Sequence, residues 1–191
     1  MKAIRVLPVL LFIVSSGRGQ EMKTGGRKIN FTSINQAGVV SGSSHESWLI
    51  QTINGIKKDK WSTGIGVGID FYVERGVPLF LDIRRDLLNK KNTPFIYADG
   101  GTYFQWLNFI QKEQRMAIKR YPGLYYDIGG GWKLSGKNNR SFIVSAGYTF
   151  KQTKGKSTPT LWIPMPVTTP REPDYYKYKY QRIVLKLGFQ L

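Results

Sequence analysis

The chain has no cysteine and one histidine among 191 residues. The first absence excludes disulfides, thiolate metal sites and a lipid anchor carried on a lipobox cysteine. The second leaves His45 as the one imidazole available for acid–base chemistry. Acids are scarce as well, 12 against 29 lysines and arginines, a net charge of +17. Past the first twenty residues no apolar run reaches the 18 or so residues that a membrane helix needs. A low mean hydropathy does not exclude a membrane protein, because strict alternation of apolar and polar residues hides apolar area from any averaged scale.

The N-terminus reads as a secretory signal peptide over residues 1–19. Lys2 and Arg5 form a basic start, residues 6–14 an apolar core, and Ser15-Ser16-Gly17-Arg18-Gly19 a small-residue end before Gln20. Removing it takes away Lys2, Arg5 and Arg18 and no acid, which leaves a net charge of +14 on residues 20–191. That length suits one domain.

Glycine is frequent, at 21 residues, and aromatics make up 14%. Their placement is informative in residues 61–73, Trp-Ser-Thr-Gly-Ile-Gly-Val-Gly-Ile-Asp-Phe-Tyr-Val. Odd positions are bulky and apolar apart from Thr63; even positions are Ser62, Gly64, Gly66, Gly68, Asp70 and Tyr72. A period of two means a β-strand. In a soluble sandwich the apolar face turns inward and a polar face meets water. Here the second face is nearly bare, which fits a membrane barrel whose bulky residues face lipid and whose small and polar residues face a narrow interior.

Seven further segments carry a similar pattern: residues 28–40, 47–56, 77–85, 94–106, 123–134, 141–151 and 175–191. The connections after the second, fourth and sixth segments are short and polar, and those after the fifth and seventh are long. Short turns at one end and longer loops at the other are the signature of an even-stranded barrel with both termini at the short-turn side. The expectation is an all-β, eight-stranded antiparallel up-and-down transmembrane barrel. Residues 152–174, with five prolines, are expected to form a long outer loop rather than a paired strand. Leu161, Trp162, Ile163 and Met165 are its candidate interaction patch.

Several motifs then resemble a family. Thr52-Ile53-Asn54-Gly55, Pro78-Leu79-Phe80-Leu81-Asp82-Ile83-Arg84, Phe95-Ile96-Tyr97-Ala98-Asp99-Gly100-Gly101 and Tyr125-Tyr126-Asp127-Ile128-Gly129-Gly130-Gly131 look like small outer-membrane β-barrel proteins of Gram-negative bacteria, of the eight-stranded OmpA-like type. The resemblance implies a cell outer membrane location and insertion by the barrel-assembly machinery through the last strand, here Gly188, Phe189 and Leu191. The family's last residue is an aromatic where this chain has Leu191. No peptidoglycan-binding domain follows the barrel segment, so that role of larger relatives is not carried over.

If the apolar parity faces lipid, Asp70, Asp82, Asp99 and Asp127 point inward, as do Arg84, Lys133, Arg182 and Lys186. Eight strands enclose just enough room for side chains to fill. Charges buried there must be paired. A salt-bridged lumen is therefore expected, with no catalytic residues, metal or cofactor. The basic excess suits anionic lipid and lipopolysaccharide at the membrane rim, with Lys177 and Lys179 set among tyrosines. No nucleic-acid reader motif is present, and a monomer is expected. The reading is thus a non-enzymatic outer-membrane barrel with a structural or surface-interaction role. The alternatives are a lipid-A hydrolase using His45 and a nearby serine, a small pore, or a secreted soluble barrel that binds a small apolar ligand.

Overall fold

The computed structural model describes residues 29–105, 116–136, 140–159 and 174–191, with backbone alone for 116–119 and 157–159. The expected signal peptide and the patch at Leu161, Trp162, Ile163 and Met165 lie outside the described residues.

Nine antiparallel strands run in chain order among the described residues: β1 (Ile29–Gly42), β2 (Glu46–Lys58), β3 (Trp61–Asp70), β4 (Gly76–Asp86), β5 (Thr93–Gln105), β6 (Met116–Tyr121), β7 (Gly123–Ser135), β8 (Ser141–Pro159) and β9 (Asp174–Gln190). Each of β1 to β5 pairs with its neighbour, β5 pairs with β7, β7 with β8 and β8 with β9. β9 returns to β1, with Ile34 opposite Gln190 and Gly42 opposite Arg182, and so the sheet closes. The result is an eight-stranded antiparallel barrel, with β6 as a short extra piece on β8. Closure leaves the barrel wall without an edge.

Alternation along the strands decides which way each side chain points. In β3, Ser62 and Asp70 are buried while Ile65 is 61% exposed. In β4, Leu81 is 62% exposed between buried Phe80 and Asp82. Ile183, Leu185, Leu187 and Phe189 of β9 also stand outward. Bulky apolar side chains thus form the outer belt, and the charged residues lie inside.

Three elements differ from the sequence expectation. β3 stops at Asp70 rather than at Val73, because the Asp70 carboxylate accepts the N–H of Tyr72 at 2.9 Å and turns the chain. Val73 just beyond it has φ of 52°, an unusual conformation for a β-branched residue. β8 continues to Pro159, so residues 152–159 are paired strand where a loop was expected. Residues 154–159 pair with β6 on one side, and residues 152–157 pair with β9 on the other. β6 itself was not anticipated. It is separated from β7 by Pro122, which has no N–H to give to a ladder. Tyr121 faces Lys154 but Tyr125 faces Lys151, so one extra residue is inserted between them, as in a β-bulge. The bulge reverses the parity of β6 relative to β7.

Candidate functional site

Buried charged and aromatic side chains of the described residues converge in the lumen. All eight residues singled out by parity — Asp70, Asp82, Arg84, Asp99, Asp127, Lys133, Arg182 and Lys186 — lie inside and buried. They do not form one cluster. Three groups are stacked along the axis.

At the end away from the termini, Arg182 donates to Asp70 at 2.5 Å and to the Thr149 hydroxyl at 3.3 Å. Lys151 joins this group. Its ammonium lies 3.5 Å from Asp70 and donates to the Tyr103 hydroxyl at 2.9 Å and to the carbonyls of Tyr72 and Glu74 at 2.5 and 2.8 Å. The same ammonium sits over the Tyr103 ring at 4.6 Å and faces the rings of Tyr72 and Tyr180. A buried cation held by rings, carbonyls and a carboxylate is well compensated.

The middle group is a row. Register places Asp82 opposite Asp99, Asp99 opposite Asp127, and Asp127 opposite Thr149. Three carboxylates therefore sit side by side on adjacent strands. Lys186 reaches across from β9, 2.9 Å from Asp127 and 3.9 Å from Asp99. The Tyr97 hydroxyl donates to Asp127 at 2.9 Å. Arg84 donates to Asp82 at 2.8 Å, and its guanidinium lies over the rings of Phe95 and Tyr97. A neutral relay runs alongside, from Gln36 to Gln51 and on to the Tyr125 hydroxyl.

The third group lies at the short-turn end. Lys133 pairs there with Asp86, which also holds Lys57 at 2.5 Å. Lys133 thus stands apart from the other seven residues. With Lys151 counted in its place, the two upper groups balance four carboxylates against four cations. Sequence reasoning missed Lys151 and Asp86, although both follow the parity of their strands.

Glycines make the filling possible. A Cβ at Gly66 would overlap the Phe80 ring, and one at Gly147 would overlap the Tyr97 hydroxyl. Large inward rings therefore lie over inward glycines, and Phe80 and Tyr125 meet with centroids 5.5 Å apart. Ile34, Ile53, Phe80, Phe95, Tyr97, Tyr103, Tyr125 and Ile143 make one buried apolar cluster around the ion pairs.

His45 is exposed at the β1–β2 connection and stacks on Tyr72 with centroids 5.0 Å apart. The Tyr72 hydroxyl accepts the N–H of Ser44 at 3.1 Å. Among the described residues no serine hydroxyl is hydrogen-bonded to the imidazole, so the arrangement gives no nucleophile–base pair. At the last strand, Phe189 and Leu191 point outward, and Leu191 exchanges backbone hydrogen bonds with Ser33.

No protein-family model matches the chain, and no curated protein matches it. Solved structures similar to it include three outer-membrane barrels. The N-terminal β-barrel domain of OprF from Pseudomonas aeruginosa is 15% identical, with 91% of this chain and 100% of that chain covered and a TM-score of 0.49. The outer membrane protein AlkL, solved in lipid bilayers, is 11% identical over 91% of this chain and 95% of that chain, with a TM-score of 0.48. The outer membrane protein OprG from Pseudomonas aeruginosa is 14% identical over 84% and 94%, with a TM-score of 0.47. At such values the architecture of this chain rests on its own strand pairing: a closed, eight-stranded antiparallel barrel with apolar side chains outside and charged side chains inside.

Proposed function

We propose that this protein is an integral β-barrel of a bacterial outer membrane, non-enzymatic, with a structural or surface-interaction role and a sealed, charged lumen. One observation carries the reading: the barrel is apolar on its outside and ionic on its inside. Ile65, Leu81 and Ile183, each more than 60% exposed at 61, 62 and 65%, would be costly in water on a monomer, and they are suited to lipid. The buried ion pairs and rings leave the interior filled, which argues for a plug rather than an open pore. Around the two upper groups of ion pairs the interior is packed, which argues against catalysis there, while a cavity of about 540 Å³ opens at the short-turn end between Lys57, Asp86, Lys133 and Gln190.

The partners that follow are the surrounding lipid and lipopolysaccharide, together with the barrel-assembly machinery at Gly188, Phe189 and Leu191. A monomer suffices, because closure leaves no wall strand unpaired. The test is fractionation of the full chain. Extraction only by detergent and a gel mobility that shifts on boiling are expected; a protein recovered soluble from the periplasm would overturn the proposal. In planar bilayers the wild-type barrel is expected to show no stepwise conductance, and steady unitary steps would remove the sealed lumen.

A further inference from the structure

The cavity of about 540 Å³ at the short-turn mouth of the barrel is lined by lysines. Its volume falls among those that hold small ligands, about 300–1,000 Å³. Lys57 near the end of β2 shares the inward parity of Gln51, and Lys133 on β7 shares that of Tyr125. Lys60 lies in the β2–β3 turn, and Lys90 and Lys91 stand exposed on the β4–β5 connection. Against these five lysines the described residues of the wall set two carboxylates, Asp59 and Asp86. Asp86 is shared. Its Oδ2 holds the Lys57 ammonium at 2.5 Å and the Lys133 ammonium as well. One carboxylate neutralises one of these two cations and leaves the other in excess. A cleft lined by one sign of charge within a low-dielectric wall concentrates ions of the opposite sign.

The kind of cation narrows the anion. Among the described residues no arginine lines this cavity. A planar carboxylate is met best by the guanidinium fork, whereas ammonium groups are point charges that surround a tetrahedral anion from several sides. Here they come from two strands and two turns. A phosphate monoester carries about −1.5 to −2 charges at neutral pH, enough to engage more than one of them. Asn30, Asn89 and Ser141 add amide and hydroxyl groups to the same wall, which suit the hydroxyls of a small polyol. The two lysines on Asp86 are not equivalent. The Lys57 side chain is 25% exposed and free to turn toward a ligand, while Lys133, at 9%, stays and keeps Asp86 neutralised.

We propose that the short-turn mouth is a binding site for small soluble phosphate monoesters of polyols. Lys57 contacts the phosphate from within, Lys60, Lys90 and Lys91 contact it from the rim, and Lys133 holds Asp86. The inference rests on the outer-membrane reading above, which turns this mouth toward the periplasm, and it gives the surface-interaction role a ligand class.

The experiment is calorimetric titration of the full chain, folded in neutral detergent micelles, with glycerol phosphate, inorganic phosphate, succinate and glycerol. Glycerol phosphate is expected to bind more tightly than the other three. Lys57→Gln should weaken it about tenfold, the worth of one charge-assisted hydrogen bond. Lys90→Gln with Lys91→Gln, at exposed positions that leave folding intact, should weaken it about threefold. Asp86→Asn gives a test of sign: it removes a carboxylate from the wall, so binding should tighten. Lys177→Gln, exposed at the opposite end, should change nothing. The proposal is overturned if the Lys57 and Lys90/Lys91 variants keep wild-type affinity, or if Lys177→Gln weakens binding as much as Lys57→Gln. Equal affinity for succinate or inorganic phosphate would overturn the ligand class, and so would binding to phosphatidylglycerol micelles but not to glycerol phosphate. A wild type that fails to fold in detergent would overturn the outer-membrane reading as well; a folded barrel that binds no phosphate ester would overturn this inference alone.

Discussion

Replacing Lys186 with methionine removes the cation that, among the described residues, spans Asp99 and Asp127. Both carboxylates are buried, Asp127 completely and Asp99 to within 3%. At the observed separations of 2.9 and 3.9 Å, and with an effective dielectric of about 20, the two attractions are about 6 and about 4 kcal/mol. Desolvation of the three groups offsets much of that in the wild type. Once the lysine is gone the carboxylates stay buried without compensation, and the net loss for a broken buried pair is about 3–5 kcal/mol. Neighbouring Asp82 has its own cation in Arg84 at 2.8 Å, so it neither adds to the loss nor offsets it. Tyr97 still donates to Asp127, so the site is weakened rather than emptied of partners. The assay is reversible urea unfolding in vesicles, read by gel mobility and far-UV circular dichroism. Lys58→Met, at an exposed lysine, is the control and should stay within about 0.5 kcal/mol of wild type. Pairing Lys186→Met with Asp127→Asn should restore about 2 kcal/mol or more, because the uncompensated charge is removed with its partner. A loss below about 1 kcal/mol for Lys186→Met, or strict additivity of the two changes, would refute the ion-pair account of the lumen.

Other outcomes follow from the same geometry. Leu81→Arg places a charge on the outer belt near mid-barrel, so it should cost about 2–4 kcal/mol in vesicles, read as a lower urea midpoint. A cost near zero would mean that Leu81 does not face hydrocarbon. Gly66→Val should displace the Phe80 ring and destabilise by about 1–3 kcal/mol, whereas Gly100→Ala, with open space around its Cβ, should be tolerated. Equal effects at the two glycines in the same unfolding assay would contradict the placement of Phe80.

Much of the architecture can be read from the chain because a strand has a period of two. Once Ile65 and Leu81 are taken as outward, Asp70 and Asp82 must be inward, and closure brings their strands into one lumen. The same rule extends to Lys151, two residues beyond Thr149, and to Asp86, two beyond Arg84; both escaped because they sit at the ends of the alternating runs. What periodicity does not report is partner choice. Lys133 and Lys186 share a parity class, yet Lys133 lies at the short-turn end with Asp86, and Lys186 lies beside Asp127. That difference is set by inter-strand register, a long-range property. The end of β3 was hidden for a local reason, since the Asp70 turn interrupts a run that still alternates through Val73. The extension of β8 was hidden because Pro159 and the prolines after it read as loop, although the strand pairs up to that proline. β6 was hidden because the bulge at Pro122 shifts the pairing by one residue.

The central claim is that the outer belt faces lipid and the charged face does not. The absence of native cysteine allows single labels to be placed without background. Ile65→Cys and Val67→Cys on β3, each carrying a fluorophore, can be compared with Ser145→Cys, which lies 3% exposed inside the barrel. In vesicles, acyl-chain bromine should quench the labels at 65 and 67, aqueous iodide should not, and the thiol at 145 should resist the same maleimide. Quenching at 65 and 67 by iodide, with no effect of brominated lipid, would contradict the membrane barrel and return the chain to a water-soluble fold.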